Sequence, residues 1–116
     1  MRRGDIYLID FEPSRGSEAN KVRPAVIVTN DHANRQAERL GRGVLTVVPM
    51  TTNTKKVFPF QVFLPAETTG LDHDSKAQAE QLKAADVERI YSRIGSVNAE
   101  LMSQIDDAIR VHLNLR

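Results

Sequence analysis

The chain has 116 residues, 41% hydrophobic and 27% charged, and 16 basic against 15 acidic side chains give a formal net charge of +1. This length allows one domain, the composition excludes a disordered chain, and the balanced charge neither requires nor excludes a nucleic-acid partner. Because cysteine is absent, disulfides, thiolate catalysis and Cys-based zinc sites are excluded. No apolar run approaches the roughly 20 residues of a membrane span, and no signal-peptide core follows Arg2 and Arg3. We therefore expect a cytoplasmic protein with no membrane partner.

Most of the chain alternates between strand-like runs and polar loops. Runs of β-forming residues predict strands at 6–11, 25–29, 44–48, 58–64, 75–82 and 90–94. Pro49 is expected to stop the third strand and Gly95 to close the last. Long polar residues alternate with Ala77 and Ala79 in the fifth strand, which predicts that one of its faces is exposed.

Helical patterns are fewer. A helix is predicted from Asn30, a suitable N-cap, to about Leu40, and a short turn or helix near 85–88. A terminal helix is predicted to begin at the N-cap Asn98. Its apolar stripe follows the i, i+4, i+7, i+8, i+11 spacing at Leu101, Ile105, Ala108, Ile109 and His112. Strands first and one amphipathic helix last predict an α+β fold, a small twisted sheet or half-open barrel covered by that helix.

The polar loop before the second strand contains the first candidate site. Pro24 fixes its own φ and favours an extended Arg23, which places a guanidinium at the mouth of a buried strand, near Glu18 and Lys21. These residues form either an exposed ion pair of little energetic value or an anion site whose carboxylate can transfer a proton. The residues alone do not decide between the two.

A second polar cluster, 49–53, follows the third strand and by itself is most simply a Thr/Asn turn. The three histidines, at positions 32, 73 and 112, share no metal spacing, and His112 is expected to serve packing or the helix end. Asp72 and Asp74 have no third ligand and indicate a turn. We therefore predict no metal and no cofactor.

Eight short segments, in this order and at these separations, resemble the MazF/PemK family of toxin ribonucleases along nearly the whole chain. The segments are 3–7 (RGDIY), 10–13 (DFEP), 16–18 (GSE), 23–26 (RPAV), 48–52 (VPMTT), 58–62 (FPFQV), 79–83 (AEQLK) and 94–95 (IG). The resemblance implies a small SH3-like β-barrel of the CcdB/PemK type with a C-terminal helix, acting as a homodimer. It also implies metal-independent cleavage of single-stranded RNA (mRNA, rRNA or tRNA) at a short sequence, leaving 2′,3′-cyclic phosphate and 5′-hydroxyl ends.

The resemblance also assigns residues and partners. It places the catalytic pair on Arg23 and Thr51 and the loop glutamate on Glu18. The RNA contacts that it implies are Phe11, Ser17, Gln81 and Lys83, and we add the neighbouring Lys21 and Thr52 as predicted RNA contacts. A labile MazE-like antitoxin is the expected protein partner, and operator DNA is expected to be bound only by the toxin–antitoxin complex. Since arginine stays protonated in proteins, Glu18 is the better general base and Arg23 the better electrostatic clamp.

Two other classes of function compete with the ribonuclease. One is a non-enzymatic toxin that binds a protein such as gyrase, as CcdB relatives do through a C-terminal Trp-Gly-Ile. The absence of any tryptophan argues against this class. The other is an inactive SH3-like binding module, which the presence of Glu18, Arg23 and Thr51 together disfavours.

Overall fold

The computed structural model of the protein describes residues 1–11 and 22–116, which form seven strands and three α-helices. The strands are β1 (Asp5–Asp10), β2 (Val22–Ile27), β3 (Val44–Thr51), β4 (Gln61–Leu64), β5 (Ser75–Gln78), β6 (Lys83–Asp86) and β7 (Ile90–Ser96). The helices are α1 (Asp31–Leu40), α2 (Ala66–Thr69) and α3 (Ala99–Leu113), and two 3₁₀ helices span Ala79–Gln81 and Val87–Arg89. The predicted α+β class with a C-terminal helix is confirmed.

The strands form one antiparallel sheet around β3. Its order is β4-β5-β3-β2-β1-β7. Strands β5 and β6 share one edge of β3: β6 pairs with residues 44–47 and β5 with residues 50–51. Among the described residues, no pairing joins β4 to β7, so the path is open, as in the twisted sheet or half-open barrel that the sequence predicts.

Each face of the sheet has its own apolar core, because successive side chains of a strand point to opposite faces. Ile6, Val26 and Val48 lie on one face, where Leu101 and Ile105 of α3 cover them. The other core contains residues of the opposite parity together with Ala37 of α1: Ile9, Ala25, Ile27, Leu45 and Val47. Burying a large aliphatic side chain contributes roughly 1.5–3 kcal/mol, so these two clusters hold the fold together.

Helices α1 and α3 begin at the N-caps that the sequence predicts, whereas the short helix α2 was not predicted. The Asn98 side chain accepts a hydrogen bond from the Leu101 N–H at 2.9 Å and caps α3, and Asn30 caps α1 in the same way through Ala33. The apolar stripe of α3 is buried as far as Ala108, whereas His112 is exposed in the last turn, where a basic side chain suits the helix dipole. The packing role considered for His112 is therefore wrong, and the helix-end position is what the structure shows.

Pro49 does not stop the third strand, which continues to Thr51. Residues 44–47 of β3 pair with β6 and residues 50–51 pair with β5, so Pro49 lies where this edge changes partner. A missing N–H is tolerated at such a break in the ladder. Gly95 likewise lies within β7, which ends one residue later, at Ser96.

The single strand predicted at 75–82 is also wrong, because the Ala79–Gln81 3₁₀ helix separates β5 from β6. Between the two pairings, the register against β3 shifts by three residues. The polar residues that suggested one strand therefore extend over β5 and the 3₁₀ helix, and the exposed face predicted for them is wrong at Lys76, which is buried. The short turn or helix predicted near 85–88 corresponds to the 3₁₀ helix Val87–Arg89, which follows β6 directly.

None of the helices in the described part of the chain is both long enough and apolar enough to cross a membrane.

Candidate active site

A cleft of about 310 Å³ opens on the sheet face that carries α1, where the second core gives way to polar residues. Its described lining consists of Phe11, Arg23, Pro49, Gln78, Gln81 and Lys83. Arg23 and Pro49 have the same parity as Ala25 and Val47 of that core, so they continue the same face along β2 and β3. The cleft is thus the polar end of a sheet face whose other end is buried in the second apolar core.

Two neighbouring strands set the position of Arg23. Arg23 pairs with Ile9, which is fully buried, and its own side chain is exposed. Pro24 pairs with Leu8 and restricts Arg23 to extended backbone, as the sequence predicts. A strand with a buried neighbour fixes the backbone of Arg23 more firmly than a loop would, and so fixes the point from which its side chain reaches the cleft.

The 3₁₀ interruption supplies the opposite wall. Gln78 ends β5, Gln81 ends the 3₁₀ helix and Lys83 begins β6, where it pairs with Val47. Lys83 Nζ lies 4.8 Å from the centroid of the Phe11 ring, a cation–π distance that joins this wall to the end of β1. The bulge therefore brings Gln78, Gln81 and Lys83 to the cleft together.

Thr51 ends β3 next to this lining. The pairing of β2 with β3 ends at Ala25–Pro49, and Thr51 lies two residues beyond Pro49, so it has the same parity and lies on the same face of β3 as this cleft residue. Thr51 Oγ1 accepts a hydrogen bond from the Asn53 N–H at 3.2 Å. Because the hydroxyl acts as acceptor in this turn, its proton remains available for an incoming anion.

The electrostatics of the cleft favour a polyanion. Arg23 and Lys83 are its two cations, the Gln78 and Gln81 amides are neutral, and no carboxylate is present in its described lining. A chain with a net charge of +1 thus presents a locally positive surface, which is the relevant quantity for nucleic-acid binding.

The structure brings together four of the residues predicted from the sequence, Phe11, Arg23, Gln81 and Lys83, and places Thr51 beside them. Thr52 is exposed in the segment after β3 and does not line the cleft. Glu18, Ser17 and Lys21 lie outside the described residues, so their assignments stay predictions. Gln78 lines the cleft but was not predicted as a site residue. The available signal was its position in the same polar alternation, three residues before Gln81.

The groups whose pKa is shifted lie away from the cleft. Burial raises the pKa of Tyr7, and the Asp5 and Glu38 carboxylates add to that rise. A hydrogen bond from the Arg3 backbone N–H lowers the pKa of Asp31, at the start of α1. In the part of the chain that the structure describes, no three His, Asp or Glu side chains cluster as a metal site would need.

Comparison with known proteins gives the family. A sequence model of PemK-like, MazF-like toxins of type II toxin–antitoxin systems matches residues 2–113. The chain belongs to this family. It is 57% identical over 115 residues to the endoribonuclease MazF9 of Mycobacterium tuberculosis (strain ATCC 25618 / H37Rv), covering 99% of this chain and 98% of the relative. The protein is therefore a MazF-family endoribonuclease toxin, and neither the gyrase-binding class nor the inactive module describes it.

Solved MazF structures share this toxin's fold. An endoribonuclease from a mycobacterial species superposes with a TM-score of 0.78 at 21% identity, covering 99% of this chain and 92% of that one. The MazE–MazF complex (Form-II) from Deinococcus radiodurans gives a TM-score of 0.78 at 21% identity, covering 100% of this chain and 97% of that one. The α+β fold of this chain is thus shared with these solved structures.

Proposed function

We propose that this endoribonuclease binds single-stranded RNA in the cleft and cleaves it at a short sequence without a metal or cofactor. The observation that carries the proposal is the meeting of Arg23, Lys83, Phe11 and two glutamine amides in one cleft beside Thr51. These are the groups that hold a phosphate, stack on a base and read the edge of a base.

The reaction needs no protein nucleophile, because RNA carries its own. The 2′-oxygen attacks the adjacent phosphorus while the bond from phosphorus to the 5′-oxygen breaks. A base takes the 2′-hydroxyl proton, and the departing 5′-oxygen receives a proton. The products are a 2′,3′-cyclic phosphate and a 5′-hydroxyl, with no net change in oxidation state.

Arg23 and Thr51 are suited to stabilising the charge that builds on the phosphate oxygens. The guanidinium donates two parallel N–H bonds to non-bridging oxygens, and the Thr51 hydroxyl adds a donor on the same face. Donors fixed before the reaction contribute more than mobile ones, since they need not reorganise as the charge develops.

Glu18 is the proposed general base, because neither Arg23 nor Thr51 is an effective one at neutral pH. Arg23 then serves as the clamp and keeps its own proton, so the leaving 5′-oxygen takes its proton from solvent water. This division follows from the chemistry of the side chains, and the Glu18 variant described below tests it.

Recognition of unpaired bases falls to the cleft walls and to the residues that flank them. Phe11 offers a ring, Gln81 an amide for a base edge, and Lys83 an ammonium for a phosphate. Ser17, Lys21 and Thr52 are proposed as additional RNA contacts. A duplex would keep its bases stacked and its edges paired, so the substrate is single-stranded.

We further propose that the toxin works as a cytoplasmic homodimer neutralised by a MazE-like antitoxin, with operator DNA bound only by that complex. The support is the family description and the fold shared with the MazE–MazF complex of Deinococcus radiodurans.

The test is cleavage of a mixed-sequence single-stranded RNA in EDTA under single-turnover conditions. Arg23→Ala is expected to reduce the rate by at least about 100-fold, since it removes the main phosphate donor. Arg42→Ala is the matched control, because Arg42 is exposed in the turn before β3, at the opposite end of that strand from Pro49. Cyclic-phosphate ends from wild type and control support the proposal. Activity that requires a divalent metal, or an Arg23→Ala variant as fast as the control, refutes it.

A further inference from the structure

Lys76 of β5 is a buried cation that the chemistry above does not use. Only 7% of its surface is exposed, and it forms no ion pair with any acid among the described residues. Its Nζ donates to the Lys56 carbonyl oxygen at 2.6 Å and lies 5.9 Å from the centroid of the Phe58 ring. Burying an ammonium without a counter-charge is costly, and an apolar side chain of the same length would pack there without that cost.

The position of Lys76 ties it to the active site. In the sheet, Lys76 pairs with Thr51 on one side and with Phe63 on the other. Side chains of paired antiparallel residues point to the same face, so the Lys76 stem runs beside the threonine that completes the phosphate site. The neighbouring pair, Met50 and Ala77, belongs instead to the core under α3.

The segment that Lys76 holds starts immediately after Thr51. Residues 52–60, here called the β3–β4 loop, connect Thr51 to the first residue of β4. Lys76 contacts this loop at its centre, through the carbonyl of Lys56. The loop also carries the stacked pair Phe58 and Phe60, whose ring centroids are 5.3 Å apart.

A second set of bonds anchors the end of the same loop. The Phe58 N–H donates to Gln61 Oε1 at 3.1 Å, and Gln61 Nε2 donates to Glu80 Oε2 at 2.7 Å. Glu80 lies in the 3₁₀ helix that presents Gln81 to the cleft. The loop is therefore fastened to β5 and to the wall of the cleft at separate points, and the Lys76 bond is the one that joins its centre to β5 among the described residues.

We infer that Lys76 is a positioning residue for RNA cleavage: its buried ammonium fastens the β3–β4 loop to the sheet and so fixes Thr51 where it meets the scissile phosphate. The inference rests on the proposed function of the cleft. A displacement of Thr51 by about 1 Å is enough to lower the rate up to about 100-fold. A role in positioning Thr51 would therefore explain why a lysine occupies a buried position where an apolar side chain would pack at lower cost.

The test compares Lys76→Met, which keeps the apolar stem and removes the donor, with Lys76→Arg, which keeps donors for the Lys56 carbonyl. Arg42→Met is the matched control because it removes one exposed positive charge far from the loop. The first measurement is native-state trypsin cleavage after Lys55 and Lys56, followed by mass spectrometry. Losing one charged hydrogen bond is expected to speed this cleavage about tenfold in Lys76→Met and leave the other two variants near wild type.

The second measurement is RNA cleavage by the same proteins at saturating RNA. Lys76→Met is expected to lower kcat about tenfold with less than about a threefold change in KM, at a Tm no lower than that of the wild type. Lys76→Arg is expected to recover most of kcat.

Unchanged trypsin protection in Lys76→Met, or an opened loop with wild-type kcat, overturns the inference. A loss confined to KM also overturns it, because Lys76 would then act only as a distant charge. If the wild type cleaves no RNA, the proposed function fails while the trypsin measurement still decides whether Lys76 holds the loop.

Discussion

In the proposed mechanism, Arg23 and Glu18 have different roles because their side chains differ in what they can do with a proton. A guanidinium keeps its charge in a protein, so Arg23 gains most from a fixed position. Strand β2 supplies that position, because Arg23 pairs with the buried Ile9 and its backbone is extended before Pro24. A carboxylate can take and return a proton at neutral pH. The site therefore needs a residue of each kind, and Glu18 is the carboxylate nearest to Arg23 in the sequence before β2.

The first prediction concerns Glu18→Gln. Removing the base is expected to lower the single-turnover cleavage rate about 10²- to 10⁴-fold and to flatten the acidic limb of the pH–rate profile. RNA binding, measured by fluorescence anisotropy with a non-cleavable 2′-deoxy analogue, is expected to stay within about threefold of wild type. A variant that cleaves at the wild-type rate would move the role of base to another group.

A second residue-scale prediction concerns acid stability. The Arg3 backbone N–H donates to Asp31 Oδ1 at 2.7 Å and lowers the pKa of that carboxyl below 3.8. The ionised form therefore stabilises the folded state above pH 3.8, and this contribution disappears as the pH falls through the lowered pKa. Asp31→Asn keeps an oxygen acceptor without a titration, so its Tm is expected to fall less than that of wild type between about pH 5 and about pH 2. Equal falls in the two proteins would contradict this assignment.

At the scale of elements, β7 depends on a close approach to α2. A methyl group at Gly95 would clash with the Thr69 carbonyl oxygen and lie 3.2 Å from Leu71 Cδ2. Backbone cannot move aside as a flexible side chain does, so Gly95→Ala is expected to lower the free energy of unfolding by about 1–3 kcal/mol. Urea denaturation measures this, with Ser92→Ala, an exposed change in the same strand, expected to stay within about 0.5 kcal/mol. Equal free energies of unfolding in the two variants would contradict this, because α2 would then move away from the added methyl group at little cost.

Local patterns were enough to predict some elements and not others. The N-caps of α1 and α3 and the apolar periodicity of α3 depend on residues close together in the chain, so the sequence located them correctly. The continuation of β3 through Pro49 and the break at 79–81 depend on which strand lies alongside, and a single sequence does not contain that pairing. Gly95 illustrates the same limit, because the contact that requires it lies about 26 residues away in α2.

The site was predictable to the extent that family resemblance assigned its residues. Composition and spacing reached only a possible anion site at Arg23, since no motif in the chain links it to Gln81 or Lys83. The three-residue shift in register along β3 is what joins them, and it also brings in Gln78. Lys76 was missed because its burial follows from the folded β3–β4 loop and cannot be inferred from a lysine in an alternating strand.

At the scale of the molecule, the sheet separates stability from chemistry. The core under α3 contains the larger share of the fully buried side chains, while the cleft lies on the other face with α1. Because the same strands carry both faces, the sheet acts as a rigid base for Arg23 and Thr51. A loss of packing under α3 should therefore reduce stability before it changes the geometry of the cleft.

The last prediction tests this separation with Ile105→Ala. Ile105 is fully buried between α3 and the sheet, so the truncation is expected to lower the free energy of unfolding by about 2–5 kcal/mol in urea. Val111→Ala, an exposed change on the same helix, is expected to cost less than about 0.5 kcal/mol. Well below the Tm, both variants are expected to cleave RNA within about twofold of the wild-type rate, because a small domain that keeps even a few kcal/mol of stability is almost entirely folded. If folded Ile105→Ala, verified by circular dichroism, instead cleaves tenfold more slowly, the two faces are mechanically coupled and the packing of α3 helps to set the position of Arg23.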